Sequence, residues 1–292
     1  MARRKPPNTH GLAVVDKPQG VTSHDVVGML RRRFGERQVG HAGTLDPDAT
    51  GVLLVGVGRA TRLLRFLTDL GKTYHGEVVF GSTTDSLDST GLTTATFDMA
   101  GLTAATVEAA VRENLVGPIL QIPPMVSAVR VDGKRLHELA REGVEVERAP
   151  RPVTVYRFDI FPTSAPLRYR AEVHCSKGTY IRTLADDLGR LCGGGAHLHG
   201  LRRVAVGSFG LAEAQAPDVV ELLPLPAAVR DYPHVTVDEA TAAMVRQGRV
   251  LPRGEAFTGA GPWAVRGPEG DLLAMYEAFR AAEVKPAVVV AG

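Results

Sequence analysis

The segment Gly40-His41-Ala42-Gly43-Thr44-Leu45-Asp46-Pro47-Asp48-Ala49-Thr50-Gly51 leaves this chain the fewest conformational options. Proline at 47 drives Asp46 out of the α region into extended backbone. Glycines at 40, 43 and 51 permit dihedrals and close approaches that other residues resist. The segment therefore reads as a stiffened, glycine-bracketed loop, and such a loop aims the carboxylate of Asp46. An isolated Asp-Pro also starts turns or caps helices. The surroundings favour an aimed group: Arg31, Arg32 and Arg33 precede the loop and Arg59, Arg62 and Arg65 follow it, so a polyanion is the natural visitor.

The rest of the chain reads as strands with interspersed helices. Gly11 to Val15 predicts a strand, and Ser23 offers an N-cap to a helix over 25–34 that Gly35 stops. Val52 to Val57 predicts a buried strand. Leu63, Leu64, Leu67 and Leu70 share a helical face closed by Gly71. Tyr74, Val78 and Phe80 alternate with His75 and Glu77 as a half-buried strand does. Residues 83–94 are polar and turn-rich, 104–115 predict a short helix, and 119–122 predict a strand ended by Pro123-Pro124. Strands near 152–162 and 168–176, a helix near 179–192 and a strand near 197–206 follow. Strict βαβ alternation is missing, so the expected class is α+β with a mixed, mostly antiparallel sheet.

These signals divide the chain into a basic tail at 1–9, a main domain at 10–233 and a small β-rich module at 234–292, after a linker marked by Pro224, Pro226 and Pro233. Within the main domain, 124–151 stands out as an insert. It has a turn at Asp132-Gly133 and a short helix over Lys134 to Glu142, with Gly143 as its terminator. Its mixed charges suit either a solvated helix or a nucleic-acid clamp.

Charge is unevenly placed. The formal net charge is only +2, yet residues 1–40 hold eight Lys or Arg against three Asp or Glu, whereas 236–292 hold six against seven. A basic surface toward the front of the chain suits a partner carrying phosphates. Arginine outnumbers lysine 28 to 6, which favours planar bidentate contacts. Cys175 and Cys192 are too few for a disulfide framework and lack Cys-x-x-Cys spacing. With no apolar h-region and no long apolar run, a soluble cytoplasmic protein is expected. Gly71-Lys72-Thr73 has Phe66 where a phosphate loop needs its first glycine, and His137-Glu138 is followed by Arg141 rather than a second histidine. Neither a nucleotide nor a metal is expected as cofactor.

Cys175-Ser176-Lys177-Gly178-Thr179-Tyr180-Ile181-Arg182 joins a strand to a helix whose apolar face is Ile181, Leu184, Ala185, Leu188, Leu191 and Cys192. Lys177 and Arg182 then lie around the positive end of the helix dipole, where a cation is disfavoured by up to roughly 1 kcal/mol. Something negative belongs there: a carboxylate such as Asp46, a phosphate, or both. Taken alone, Tyr74 reads as a core residue, His41 as a hydrogen-bonded loop residue, and the His197, His199 pair as strand decoration. Next to Arg202-Arg203, alternation turns Leu201 inward and one arginine out.

Six blocks now stand in order: Asp16-Lys17-Pro18-Gln19-Gly20-Val21-Thr22-Ser23, the Gly40 to Gly51 loop, Lys72-Thr73-Tyr74, Ile122-Pro123-Pro124-Met125-Val126-Ser127-Ala128, Cys175 to Arg182, and Leu201-Arg202-Arg203. Together, over residues 10–210, they resemble the bacterial tRNA pseudouridine synthase B (TruB) family. The resemblance implies the pseudouridine synthase fold, with a PUA-like C-terminal domain and the 124–151 insert as an RNA-gripping thumb. It implies Asp46 as the catalytic carboxylate, Tyr74 as a platform for the target base and Arg182 as the aspartate's partner. His41 would fill the gap left by an extruded nucleotide and Leu201 would wall the pocket. Tyr180, Lys177, Arg202, Arg130 and Lys134 would contact RNA, and Lys17 and Pro18 would support the active-site loop. Asp48 stands where relatives are usually apolar, and the acidic C-terminal module lacks a basic stripe.

The implied reaction converts uridine to pseudouridine at position 55 in the T loop of tRNA. It would need no metal, cofactor or protein partner, and the protein would act as a monomer on the T-stem loop. The competing expectation is a non-catalytic tRNA-folding chaperone using the same groove. A glycoside hydrolase using Asp46 and Asp48 is weaker, because carboxylates two residues apart on one loop are poorly placed to flank a scissile bond.

Overall fold

The computed structural model describes residues 8–127, 130–131, 134–136, 143–144 and 146–291. It divides into two compact units, Met1–Leu70 with Ala205–Gly292, and Gly71–Val204. Most of the 1–9 tail, the 132–133 turn and most of the 134–142 helix expected from the sequence lie outside the described residues.

The first unit is organised by an antiparallel sheet in which Gly11–Lys17 lies between Leu222–Leu223 and Thr50–Val57, and Thr50–Val57 pairs in turn with Val39–Ala42. The central strands carry an unbroken apolar run because both faces are covered. On one face Leu12, Val14, Val52 and Leu54 join a core with Leu63, Phe66 and Leu67. On the other, Ala13, Val15, Leu53 and Val55 pack with Val26, Val27 and Leu30 of the helix Ser23–Phe34. The two-residue period of a strand delivers alternate side chains to two cores. Each fully buried leucine or valine contributes about 1.5–3 kcal/mol.

The helix is capped one residue earlier than the sequence suggested. The Thr22 hydroxyl accepts from the Asp25 amide and the Asp25 carboxylate accepts from the Thr22 amide, a capping box. Gly35 ends the helix at φ 61°, the left-handed conformation that glycine adopts at least cost. The expected leucine helix is a 3₁₀ turn, Gly58–Leu63, followed by Leu64–Asp69, and it ends in extended backbone at Leu70.

The C-terminal module forms a five-stranded sheet in the order His234–Thr236, Trp263–Arg266, Leu272–Ala278, Glu283–Val289, Leu251–Pro252. Its first pair is parallel and the others antiparallel. Alternation again serves two cores. Trp263, Val265, Leu273 and Tyr276 pack with Ala242 and Val245 of the helix Glu239–Arg246. Ala264, Leu272 and Met275 join the core that holds Leu12 and Phe66.

In the second unit the strand order is Ala196–Val206, Lys72–Phe80, Arg168–Cys175, Arg151–Pro162, Gly117–Gln121. Tyr74 stands opposite Val173 and Lys72 opposite Cys175. The helices Ala104–Asn114 and Ile181–Leu191 pack on this sheet and on each other. The polar stretch after Phe80 holds a small ribbon that the sequence did not reveal, Ser82–Thr84 with Thr93–Thr96. At the insert, Lys134–Arg135 pairs with Arg130–Val131 as a strand, so the helix expected to start at Lys134 does not begin there.

The Ile181–Leu191 helix buries Ile181, Leu184, Ala185 and Leu188 as expected, but Leu191 is exposed, and Arg182 and Asp186 are buried instead. Next to Asp186, which pairs with Arg190 at 2.9 Å, burial pushes the Asp187 carboxyl from the usual 3.8 up to about 6. The Asp186 charge adds to the shift and Arg190 opposes it. A raised carboxyl favours the folded state below its unfolded pKa, and that stability is lost as pH rises through about 6. Asp187→Asn is expected to stabilise the protein at neutral pH by about 1–2 kcal/mol, allowing for solvent screening. The melting temperature should rise by about 2–6 °C there and hardly change near pH 4. Equal shifts at both pH values in thermal melts would contradict this.

Candidate active site

The Asp46 loop connects the antiparallel strands Val39–Ala42 and Thr50–Val57. His41, expected in the loop, lies on the first of these strands, half-buried and opposite Val55. Two buried side chains fasten the loop. Lys17, at the end of Gly11–Lys17 and without solvent exposure, donates from Nζ to the carbonyls of Pro18 at 2.9 Å, Val21 at 2.7 Å and Pro47 at 2.9 Å. Ser23, in the first turn of its helix, accepts from the Leu45 amide at 2.9 Å and donates to the Leu45 carbonyl at 3.1 Å.

Pinned residues thus flank Asp46 on both sides, and its own carbonyl accepts from Ala49 N at 3.1 Å. Leu45 and Ala49 point inward and are buried, while Asp46 is partly exposed. Gly43, at φ 88°, makes the turn into the loop, where a side chain would be strained. Pro18 is exposed beside Gly20, whose amide donates to the Pro47 carbonyl at 3.0 Å. Asp48 is exposed and accepts weakly from Gln19 at 3.4 Å. Three charged groups of the sequence reading, Lys17, Asp46 and Asp48, are therefore tied into one loop assembly.

The second unit carries the other expected residues. Tyr74 is buried on its strand. Arg182 is buried almost completely. It donates from Nη1 to the Ser86 carbonyl and from Nη2 to the Val126 carbonyl, each at 2.8 Å, and its Nε lies 3.6 Å from Asp88 Oδ2. Removing a guanidinium from water is costly, and this set of acceptors offsets the cost. The other oxygen of Asp88 accepts from the Ser86 and Thr90 hydroxyls at 2.7 and 2.6 Å and from the Thr90 amide at 3.0 Å. Asp88 is a carboxylate of the kind expected at this helix start, on a residue the sequence reading did not name.

Tyr180, the N-cap residue of the helix, is half-buried and Lys177 exposed. The amide of Gln121, itself buried, accepts from Tyr180 N at 2.7 Å and donates to Tyr180 O at 3.0 Å. Leu201 and Arg202 are half-buried, whereas Arg203 is fully buried, so of the two arginines it is the inner one. The strands that carry Arg130 and Lys134 are formed, but the side chains of these two residues lie outside the description. Asp88, Gln121 and Arg203 escaped the sequence reading as site residues. The only signal for Gln121 was its position immediately before Ile122-Pro123-Pro124.

Burial raises the Cys175 thiol to about 11, and Cys175 donates to the Lys72 carbonyl at 3.8 Å, the behaviour of an inert buried thiol. Among the described residues no group of three or more His, Cys, Asp or Glu side chains is arranged to hold a metal. No described helix is long and apolar enough to cross a membrane.

The chain matches known proteins over most of its length. The family described as "TruB family pseudouridylate synthase (N terminal domain)" matches residues 31–181, and "tRNA pseudouridylate synthase B C-terminal domain" matches 182–244. A tRNA pseudouridine synthase B of Syntrophotalea carbinolica is 47% identical over 238 residues, 78% of this chain and 77% of its own. Another of that name, from Arthrobacter sp., is 42% identical over 297 residues, 96% of each chain. Among solved structures, one described as a Cbf5-Nop10-Gar1 complex superposes with a TM-score of 0.73 at 24% identity, covering 96% of this chain and 84% of the other. That likeness identifies the pseudouridine synthase fold, α+β with mostly antiparallel sheets and a β-rich C-terminal module. With the fastened aspartate loop in place and matches over nearly its full length, the chain belongs to the TruB family of pseudouridylate synthases.

Proposed function

We propose that the protein isomerises uridine to pseudouridine at position 55 of tRNA, acting in the cytoplasm as a monomer on the T-stem loop. The observation that carries this reading is the Asp46 loop, whose carboxylate is presented between residues pinned by Lys17 and Ser23. Relatives over nearly the whole chain bear the name tRNA pseudouridine synthase B.

The reaction breaks N1–C1′, turns the base and joins C5 to C1′; C5 loses its proton and N1, bonded to C1′ in uridine, gains one. It is redox-neutral. The base leaves its stack at a cost of a few kcal/mol, and stacking on the Tyr74 ring returns about 1–3 kcal/mol. Asp46 acts as an anion, and Arg182 favours its ionised form. It attacks C1′, attacks C6, or removes the C2′ proton to open a glycal route; each begins with a carboxylate aimed at an extruded nucleoside. His41 fills the vacated stack and Leu201 walls the pocket. Tyr180, Lys177, Arg202, Arg130 and Lys134 hold the RNA, with residues 124–151 as a thumb and 234–292 as a PUA-like domain.

The test is to incubate the purified protein, without added metal or nucleotide, with an unmodified tRNA transcript and map pseudouridine by carbodiimide-dependent reverse-transcription stops. A new stop for position 55 supports the reading, and no stop, or a stop elsewhere, overturns it. Tyr74→Phe keeps the ring and removes only the hydroxyl. It is expected to leave tRNA affinity within about twofold and to lower the single-turnover rate by less than about tenfold. Complete loss of base capture in that variant would contradict a ring platform.

A further inference from the structure

We propose that Gln121 is a positioning residue for the Arg182-bearing helix. It fastens the strand end that leads into the 124–151 insert to the backbone of Tyr180. The proposal rests on the reading above, in which Tyr180 and Arg182 serve the reaction.

The helix Ile181–Leu191 starts without a side-chain cap on its own N-cap residue. Gln121, the last residue of the edge strand Gly117–Gln121, supplies what is missing from a distance. One amide accepts from Tyr180 N at 2.7 Å and donates to Tyr180 O at 3.0 Å. The amide satisfies both partners in this orientation and not when flipped, because its nitrogen cannot accept and its oxygen cannot donate. The side chain is buried, so water cannot substitute for it without a change in packing.

Two further bonds run between the same pair of segments. Thr183 Oγ1 donates to the Ile122 carbonyl at 3.5 Å, and Arg182 Nη2 donates to the Val126 carbonyl at 2.8 Å. Residues 121–126 and 180–183 are therefore stitched together on both sides of Pro123-Pro124. Gln121 links the strand to this segment through its side chain, and it fixes where Tyr180 and the following Arg182 begin. A shift of about 1 Å in such a group costs on the order of 100-fold in rate, whereas phosphate contacts, which dominate RNA affinity, are untouched.

Two variants test this. Gln121→Met keeps the volume and loses both bonds. Gln121→Glu places a carboxyl in the same position. Protonated, it accepts from Tyr180 N and donates to Tyr180 O, as the amide does; ionised, it repels the Tyr180 carbonyl. Charged groups on the flanking segments include Arg151, exposed and opposite Gln121 in the sheet register, Arg148, which donates to the Pro123 carbonyl at 3.1 Å, and Arg182 with its neighbour Asp88. Dividing each rate by the wild-type rate at the same pH removes the contribution of these shared groups, so the ratio follows the new carboxyl. Single-turnover rates and tRNA dissociation constants are measured for wild type and variants from about pH 5.5 to 9, with thermal melts at each pH.

The expected result is a rate about 10- to 100-fold below wild type for Gln121→Met with affinity within about threefold. For Gln121→Glu, the rate relative to wild type should be close to one at low pH and fall at least about tenfold as the carboxyl ionises. A purely structural role would lower melting temperature without that pH-dependent ratio. If wild type forms pseudouridine and Gln121→Met stays within twofold of it, or the Gln121→Glu ratio is flat, this proposal is wrong while the parent reading stands. If wild type forms no pseudouridine, the parent reading has failed.

Discussion

Asp46→Asn is expected to reduce turnover of unmodified tRNA by at least about 10⁴-fold while leaving tRNA affinity within about threefold. The substitution keeps size and shape and removes the charge. An amide neither attacks carbon nor takes a proton at neutral pH, so every route open to a carboxylate closes together. Affinity survives because RNA binding rests on many phosphate contacts. The bonds that hold Leu45, Pro47 and Ala49, from Ser23, Lys17 and the Asp46 backbone, are left in place by the substitution, so the loop is expected to survive. Rates from product mapping and affinity from filter binding check both halves. The same variant separates enzyme from chaperone: assistance to tRNA refolding that persists in Asp46→Asn would be a second activity of the RNA groove, independent of the chemistry.

Lys17→Met should produce the largest loss of stability, about 3–5 kcal/mol. Methionine matches the lysine stem, so packing changes little. What disappears is a buried ammonium satisfying the carbonyls of Pro18, Val21 and Pro47. Each orphaned acceptor costs about 1–3 kcal/mol, and the loop carrying Asp46 loses the link between residues 17 and 47. Turnover is expected to fall by on the order of 100-fold even where the variant remains folded. Urea unfolding and single-turnover kinetics measure the two effects. A loss below about 1 kcal/mol would show that the ammonium does not fasten the loop.

The parts of this molecule visible in the sequence are those set by local rules. Alternation placed Tyr74, Val78 and Phe80 on one strand, and glycine and proline marked the Asp46 loop and the end of the first helix. The resemblance of six short blocks then gave roles to residues whose chemistry was otherwise ambiguous. What stayed hidden depends on partners distant in sequence. Alternation turns one arginine of Arg202-Arg203 outward, but nothing local says that the other, Arg203, is buried completely, and Asp88 sits in a polar stretch without periodicity. Ser23 resembled a cap because the hydroxyl that actually caps, on Thr22, is its neighbour; the fold sends Ser23 to Leu45 instead. Leu191 fits the helical period but falls at the last turn, where the helix has passed the edge of its core.

The central claim, that Asp46 drives C5–C1′ bond formation, has a direct readout, since joining C5 to C1′ expels the hydrogen on C5. Transcripts carrying tritium at C5 of uridine, mixed with excess wild-type protein and no metal or nucleotide, should release tritium equivalent to one uridine per tRNA. Asp46→Asn should release none above background over the same time. Tritium release by the Asn variant within tenfold of the wild-type rate, or release of free uracil in place of tritium by wild type, would contradict the account.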